Sequence, residues 1–312
     1  MALAHTKTRV PRPRAGLLLP RPELLATLDK ALDEQRVLLV CAPAGYGKTA
    51  LLTQALAAQP AETAVAWVAL DEGDDLGRLL DCLFAALEPY DPPWRMAPEG
   101  LRDAAQRGGS EIVTVADAML NALEACEVER GLIVLDDAHQ LVDAASLQFL
   151  DRWLARMGWR WRLVLSARHE PNLRLARLRA TGELADLGPA QLALARGEVA
   201  QLALAAGLEE GAADELFERC QGWPAGLRLA LGAGQRLPAA IDRAAFDYLA
   251  AEVVDRLEAG LRGFLLRTSV LHELDAARRS RAWPCAPAAR GGDRAAPGAG
   301  AAAACRETAD AG

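Results

Sequence analysis

At 312 residues, 52% hydrophobic and 25% charged, the chain has enough apolar side chain to bury one large core or two smaller ones, the composition of about two globular domains. A formal net charge of −7 and a pI near 5.3 argue against broad, sequence-independent attraction to nucleic acid, which needs a positive surface to neutralise phosphates. No run approaches the roughly 20 apolar residues that span a bilayer, and Gly16 to Leu19 is too short for the core of a signal peptide despite Arg9, Arg12 and Arg14, so a cytoplasmic location is expected.

Residues 1–22 form a basic, proline-rich arm that disfavours helix and reads as an extended segment lying over the domain. Glu23 to Leu32 then has helical spacing through Leu24, Leu25, Leu28 and Leu32. Val37 to Cys41 is an unbroken apolar run of strand length, as in a buried parallel strand. Similar runs recur at Val65 to Leu70, Leu132 to Leu135, Leu163 to Leu165 and, more weakly, Leu184 to Leu187. Between them lie helical patterns at Thr49 to Ala58, Leu79 to Leu87, Ile112 to Leu123 and Leu147 to Met157. This alternation predicts an α/β fold, a parallel five-stranded sheet covered by helices on both faces, with ligands at the carboxyl ends of the strands.

Beyond Gly197 the strand signal ends and helices dominate, with Phe246, Leu249, Val253, Leu257 and Leu261 on one stripe. After Asp275 an Ala/Arg/Gly/Pro mixture runs to Gly312, nearly devoid of large aliphatic residues. Such a segment buries too little surface to offset the entropy of ordering, and disorder is expected. Cys41, Cys82, Cys126, Cys220, Cys285 and Cys305 are scattered, with neither Cys-x-x-Cys spacing nor histidines placed to complete a zinc site, and read as reduced thiols.

The first strand runs straight into Ala42-Pro43-Ala44-Gly45-Tyr46-Gly47-Lys48-Thr49 and then a helix, the context a phosphate-binding P-loop requires. Gly45 and Gly47 let the backbone wrap so that N–H groups point at phosphate oxygens, and the helix N-terminus adds its dipole. Lys48 would pair with the β and γ phosphates and the Thr49 hydroxyl would ligate magnesium. The motif ordinarily begins with glycine, where this chain has Ala42, a mild change for a residue in an ordinary backbone conformation.

Leu132 to Leu135 ends in Asp136 and Asp137, the first placed to hold magnesium and the second to act as the base that orients an attacking water. Acids also end strands as turn formers; beside a P-loop the catalytic reading is favoured. His139 follows and could contact a phosphate or signal nucleotide state, with capping or packing as its commoner role. The next strand ends in Arg168, an arginine able to reach a γ-phosphate.

These residues resemble the MalT-like group of large LuxR-type transcriptional activators, of the STAND class of signalling ATPases. The resemblance runs from Thr6 to about Asp275. It rests on Thr6-Lys7, the P-loop, Trp67 to Glu72, Asp136 to His139, Leu165 to Arg168, Gly222 to Gly226 and Asp247 to Val253. It implies a P-loop ATPase domain over 23–195, a helical domain over 196–243 and the start of a winged-helix region over 244–275, breaking off after His272 to Asp275. The tail over 276–312 then has the composition expected of an out-of-frame reading or a truncated gene.

By the same resemblance Arg21 holds the adenine side of the nucleotide, Gly222-Trp223-Pro224 is the GxP turn that brings Pro224 onto it, and Arg168 is a γ-phosphate sensor. A small residue at the first P-loop position, here Ala42, fits the family. The implied ligands are ATP or ADP with Mg2+. ADP would hold a closed form, ATP with an inducer would open it for self-association, and slow hydrolysis would reset it. The sensor repeat and the helix-turn-helix through which such proteins contact DNA are expected outside this chain. A stand-alone P-loop ATPase and a non-functional fragment are the competing readings.

Overall fold

A computed structural model of the chain describes residues 5–12, 21–94, 97–208, 210–232, 248, 254 and 259–269. Five strands are present: β1 (Val37–Cys41), β2 (Ala64–Ala69), β3 (Gly131–Asp136), β4 (Trp161–Ala167) and β5 (Leu184–Leu187). They lie in the order β2-β3-β4-β1-β5, every pair parallel. β4 therefore stands between the strand that feeds the P-loop and the strand that ends in Asp136. Register carries the loop start and the β4 tip together, since Cys41 pairs with Ala167.

Side chains alternate across the sheet, and the two faces build separate cores. Val37 and Leu39 face one side, with Ile133, Leu135, Leu163 and Leu165, under α3 (Leu76–Leu87), α4 (Pro98–Arg107), α5 (Ser110–Ala125) and α6 (Ala144–Arg156). Leu38 and Val40 face the other, with Trp67, Leu132, Val134 and Val164, under α1 (Pro22–Glu34) and α2 (Lys48–Ala57). Two-sided burial explains why these strands read as continuous apolar runs.

Helix starts fall a turn or so earlier than apolar spacing alone suggests, because polar caps set them. Asp75 caps α3 by accepting from the Arg78 N–H, and Asp143 caps α6 by accepting from the Ser146 N–H. α4 was not foreseen: Pro98-Glu-Gly-Leu-Arg carries a glycine and few large apolar residues, yet it buries Leu101, Ala104 and Ala105.

The arm also departs from expectation where it is described, for His5–Thr8 makes one 3-10 turn. Its Lys7 is buried and bonds to Asp74 at 2.5 Å and Asp71 at 3.0 Å, at the turn leading into α3. Burial alone lowers a lysine pKa; hydrogen bonds to Asp74 and Asp71 overcome it and leave Lys7 above its ordinary value.

After β4 the chain forms α7 (Ala176–Thr181), β5, α8 (Pro189–Leu192), α9 (Arg196–Ala205), α10 (Glu210–Cys220) and α11 (Pro224–Gly232). Leu194, Val199, Ala203, Leu216, Leu227 and Ala230 give these last helices their own small core. All of this belongs to one unit, ending at Glu252. In the second unit α12 (Ala259–Thr268) is described, exposing Leu261, Leu265 and Leu266. The rest of the stripe through Phe246, Leu249, Val253 and Leu257, most of the expected winged-helix region and the tail after Asp275 lie outside the described residues.

Candidate functional site

β1 ends at the sheet's carboxyl edge and the chain turns through Ala42 to Gly47 before Lys48 opens α2. Gly45 and Gly47 both sit in the left-handed region, φ 81° and 78°. A Cβ on Gly47 would meet no atom within 4 Å, so the sign of its φ, and not crowding, calls for glycine there. Ala42 is buried and has an ordinary backbone, which answers the concern raised by the missing first glycine.

Lys48 is 8% exposed, and its ammonium donates to the carbonyls of Ala42 (2.8 Å) and Pro43 (3.2 Å). Burial pulls its pKa down, Asp137 and Asp136 push back, and Arg168 adds to the lowering. The Thr49 hydroxyl donates to Asp136 Oδ2 at 2.9 Å, joining the first turn of α2 to the end of β3. Asp136 Oδ1 accepts from the Ser166 hydroxyl at 2.6 Å. Burial nevertheless raises the Asp136 pKa, with Ser166 and Thr49 lowering it and Asp137 raising it.

The two consecutive acids go different ways. Asp136 is the last residue of β3, whereas Asp137 turns left-handed at φ 59° and starts the 3-10 turn Ala138–Gln140. Its carboxylate lies 3.7 Å from His139 Nδ1, and the backbone N–H of Arg168 points to the same nitrogen at 3.4 Å. The His139 ring also packs edge-on against His169, 5.3 Å between centroids. His139 thus ties the tip of β3 to the tip of β4.

The helical segment lies on the loop. Trp223 donates its indole N–H to the Ala44 carbonyl (3.1 Å), and the Ala225 N–H donates to the Gly45 carbonyl (3.0 Å). Behind them opens a cavity of about 460 Å³, lined by Tyr46, Ala50 and Gln54 on the loop side and by Leu194, Pro224 and Tyr248 opposite, with Arg21 and Gly45 at its wall. The Arg21 donors are engaged with the protein: Nε with Glu198 Oε1 (2.8 Å), Nη1 with the Leu192 carbonyl (2.7 Å) and Nη2 with those of Ala193 (2.9 Å) and Gln191 (3.2 Å).

Among the expected site residues, Lys48, Thr49 and Asp136 converge within hydrogen-bond reach of the loop, with Asp137 and Arg168 at neighbouring strand tips. Arg21, Gly45, Tyr46, Gly47 and Pro224 share the cavity wall. Ser166 and Glu198 escaped the sequence reading. A serine closing an otherwise apolar strand is a usable signal for the first; nothing in the sequence points to the second.

The residues fit a nucleotide phosphate: a glycine-permitted turn, a buried ammonium beside it and a hydroxyl–carboxylate pair between α2 and the end of β3. Among the described residues no group of three or more His, Cys, Asp or Glu could by itself hold a metal. Magnesium is commonly bound by one or two protein ligands together with substrate phosphates, and the Thr49–Asp136 pair has the donors for that.

Residues 31–171 match the family described as an AAA domain. The HTH-type transcriptional regulators MalT from two strains of Klebsiella pneumoniae are 30% identical over 271 residues, 82% of this chain and 29% of theirs. The chain carries a MalT-like P-loop ATPase module. It spans 29% of the length of those relatives.

Two solved structures share the fold of this MalT-like module. One is a signal transduction ATPase with numerous domains and a tetratricopeptide repeat sensor from Pyrococcus horikoshii, with a TM-score of 0.55 at 18% identity over 86% of this chain and 37% of that one. The other is a Walker-type ATPase of Pyrococcus abyssi, with a TM-score of 0.52 at 14% identity over 87% of this chain and 90% of that one. An AAA-type P-loop fold implies nucleotide binding. Among the described residues no helix is long and apolar enough to cross a membrane.

Proposed function

We propose that the MalT-like module is a nucleotide switch of a LuxR-family transcriptional activator, binding ATP or ADP with Mg2+ and hydrolysing ATP slowly. The observation that carries this reading is the double engagement of one loop. The same turn that presents Lys48 and Thr49 to Asp136 is hydrogen-bonded by Trp223 and Ala225 of the helical segment. A ligand in that turn touches both parts at once, which a two-state switch requires.

Gly45 to Thr49 would hold the phosphates, with Lys48 supplying positive charge from a buried position where it acts strongly. Thr49 and Asp136 would hold magnesium. Bound there, it would supply positive charge to offset the negative charge of phosphoryl transfer. Asp137, turned out of the strand, is placed to orient water and accept its proton, and Arg168 at the next strand tip is placed to respond to a γ-phosphate. The apolar cavity with Tyr46, Pro224 and Tyr248 would take the base, and Arg21 shapes its wall by fixing the chain around α8. The negative overall charge suits a module that leaves DNA to another part of the protein, with self-association as the output of the ATP-bound form.

The test is equilibrium binding of fluorescent ADP and ATP with magnesium to the purified chain and to Lys48→Ala. Micromolar or tighter binding lost in the mutant supports the reading; no binding by the wild-type chain removes it. A second reading is a stand-alone P-loop ATPase acting as an enzyme. Turnover that climbs steeply with protein concentration, as when one subunit completes another's site, would favour that alternative.

A further inference from the structure

Four consecutive carbonyls of the phosphate loop accept hydrogen bonds from two sources. Lys48 takes those of Ala42 and Pro43, from the loop's own helix. Trp223 takes that of Ala44 and the Ala225 N–H takes that of Gly45, both from the helical segment. A turn that binds an anion must face its N–H groups inward, and its carbonyls are then left facing out. Half of that outward row is held from the helical segment.

The indole is wedged. A Cβ on Gly45 would lie 2.6 Å from both Trp223 Nε1 and Ala225 Cβ, and a Cβ on Gly226 would lie 2.5 Å from Trp223 Cε3. Glycine at each position leaves room for one ring, whose N–H is thereby aimed at the Ala44 carbonyl. On its far side the ring meets Tyr248 at 5.8 Å between centroids, tilted by 54°. Gly222, at φ 72°, brings Trp223 into place: its carbonyl accepts from the Leu194 N–H (2.8 Å), and a Cβ there would strike the Leu194 carbonyl at 2.4 Å.

We infer that Trp223 is a positioning residue for phosphate binding: its N–H holds the Ala44 carbonyl outward, so docking of the helical segment and capture of the phosphates reinforce each other. The inference rests on the loop being a nucleotide cradle, as proposed above. Reciprocity follows from thermodynamics: whatever docking adds to phosphate affinity, phosphate adds to docking. Ring packing alone would favour all ligands of the cavity alike. A held carbonyl favours those that reach furthest into the loop.

The experiment compares the whole wild-type chain with Trp223→Phe and with benzothienylalanine at position 223, which keeps the shape of the ring and replaces its N–H by sulfur. Ribose-labelled adenosine triphosphate and monophosphate are titrated with magnesium, and nucleotide-free melting is recorded. Both variants are expected to bind the triphosphate about three- to tenfold more weakly, the scale of one hydrogen bond. Loss for the monophosphate should be clearly smaller, and nucleotide-free melting of the benzothienyl variant should fall by no more than the few degrees that one hydrogen bond supports. Wild-type affinity in the benzothienyl variant, or equal losses for both probes, would overturn the inference. Absence of binding by the wild-type chain would instead sink the nucleotide reading, and this inference with it.

Discussion

Lys48 and Asp136 are buried opposite charges that the protein leaves strained in ionisation, one with its pKa lowered and the other raised. For each, the charged form is penalised in the fold. Between its folded pKa and 10.5, Lys48 binds fewer protons in the folded state than in the unfolded one, so stability there rises with pH. Asp136 works in the opposite sense. From 3.8 up to its folded pKa the folded state binds more protons, so stability falls as pH rises. Asp136→Asn, which can still bond to Thr49 and Ser166, is therefore expected to gain melting temperature relative to wild type as pH rises from 4 toward neutrality. Its ATP turnover should fall by about a hundredfold or more, the scale of losing a group that steadies transition-state charge. Parallel thermal scans across pH check the first point and a phosphate-release assay the second.

Lys48→Ala should change nucleotide-free melting little, since relief of a penalised charge is set against loss of its bonds to the Ala42 and Pro43 carbonyls. It should also abolish the upward shift that saturating nucleotide produces, about 2.7 kcal/mol at a hundredfold excess over Kd. Differential scanning with and without nucleotide separates these outcomes.

Among the elements, β3 and β4 meet closely at their amino ends, where the Trp161 ring covers Gly131 and a Cβ on that glycine would come within 2.3 Å of Trp161 Cε3. Gly131→Ala should destabilise the sheet by about 1–3 kcal/mol, the usual cost of overpacking. The denaturant midpoint should drop with an unchanged slope. The five strands were legible because two-sided burial writes itself as unbroken apolar runs, and the P-loop because its glycines have backbone duties. α4 was hidden since its buried face is mostly alanine, which carries little hydrophobic contrast. Strand order was not read from the chain, because neighbours in the sheet are distant in sequence. Within the site, Asp136 was readable as an acid at a strand end, but its grip by Ser166 depended on β4 lying beside β3.

For the whole molecule, Arg21 is the strut between the start of α1 and the helical segment, bonding to the carbonyls around α8 and to Glu198 of α9. Arg21→Ala should loosen residues 189–232 and speed their proteolysis in the nucleotide-free chain, with the sheet core still protected. Lysine is expected not to restore the wild-type pattern, for one ammonium cannot span the three carbonyls and carboxylate that a guanidinium fork reaches. Limited digestion followed by mass spectrometry reads both variants. Glu198 could not have been paired with Arg21 from the sequence, since only the folded course of α8 and α9 brings them together.

The strand order also sets a timetable for the ribosome. β1 is the first strand to be made, yet it pairs with neither β2 nor β3: Val37 must wait for Leu163 on one side and Leu184 on the other. The P-loop is thus among the earliest segments synthesised and the last to be framed. A nascent chain halted before β4 would carry every residue of the P-loop and have no partner strand beside β1 to shape it. Capacity for nucleotide should therefore arise late and abruptly in synthesis, when β4 and β5 close around the oldest strand.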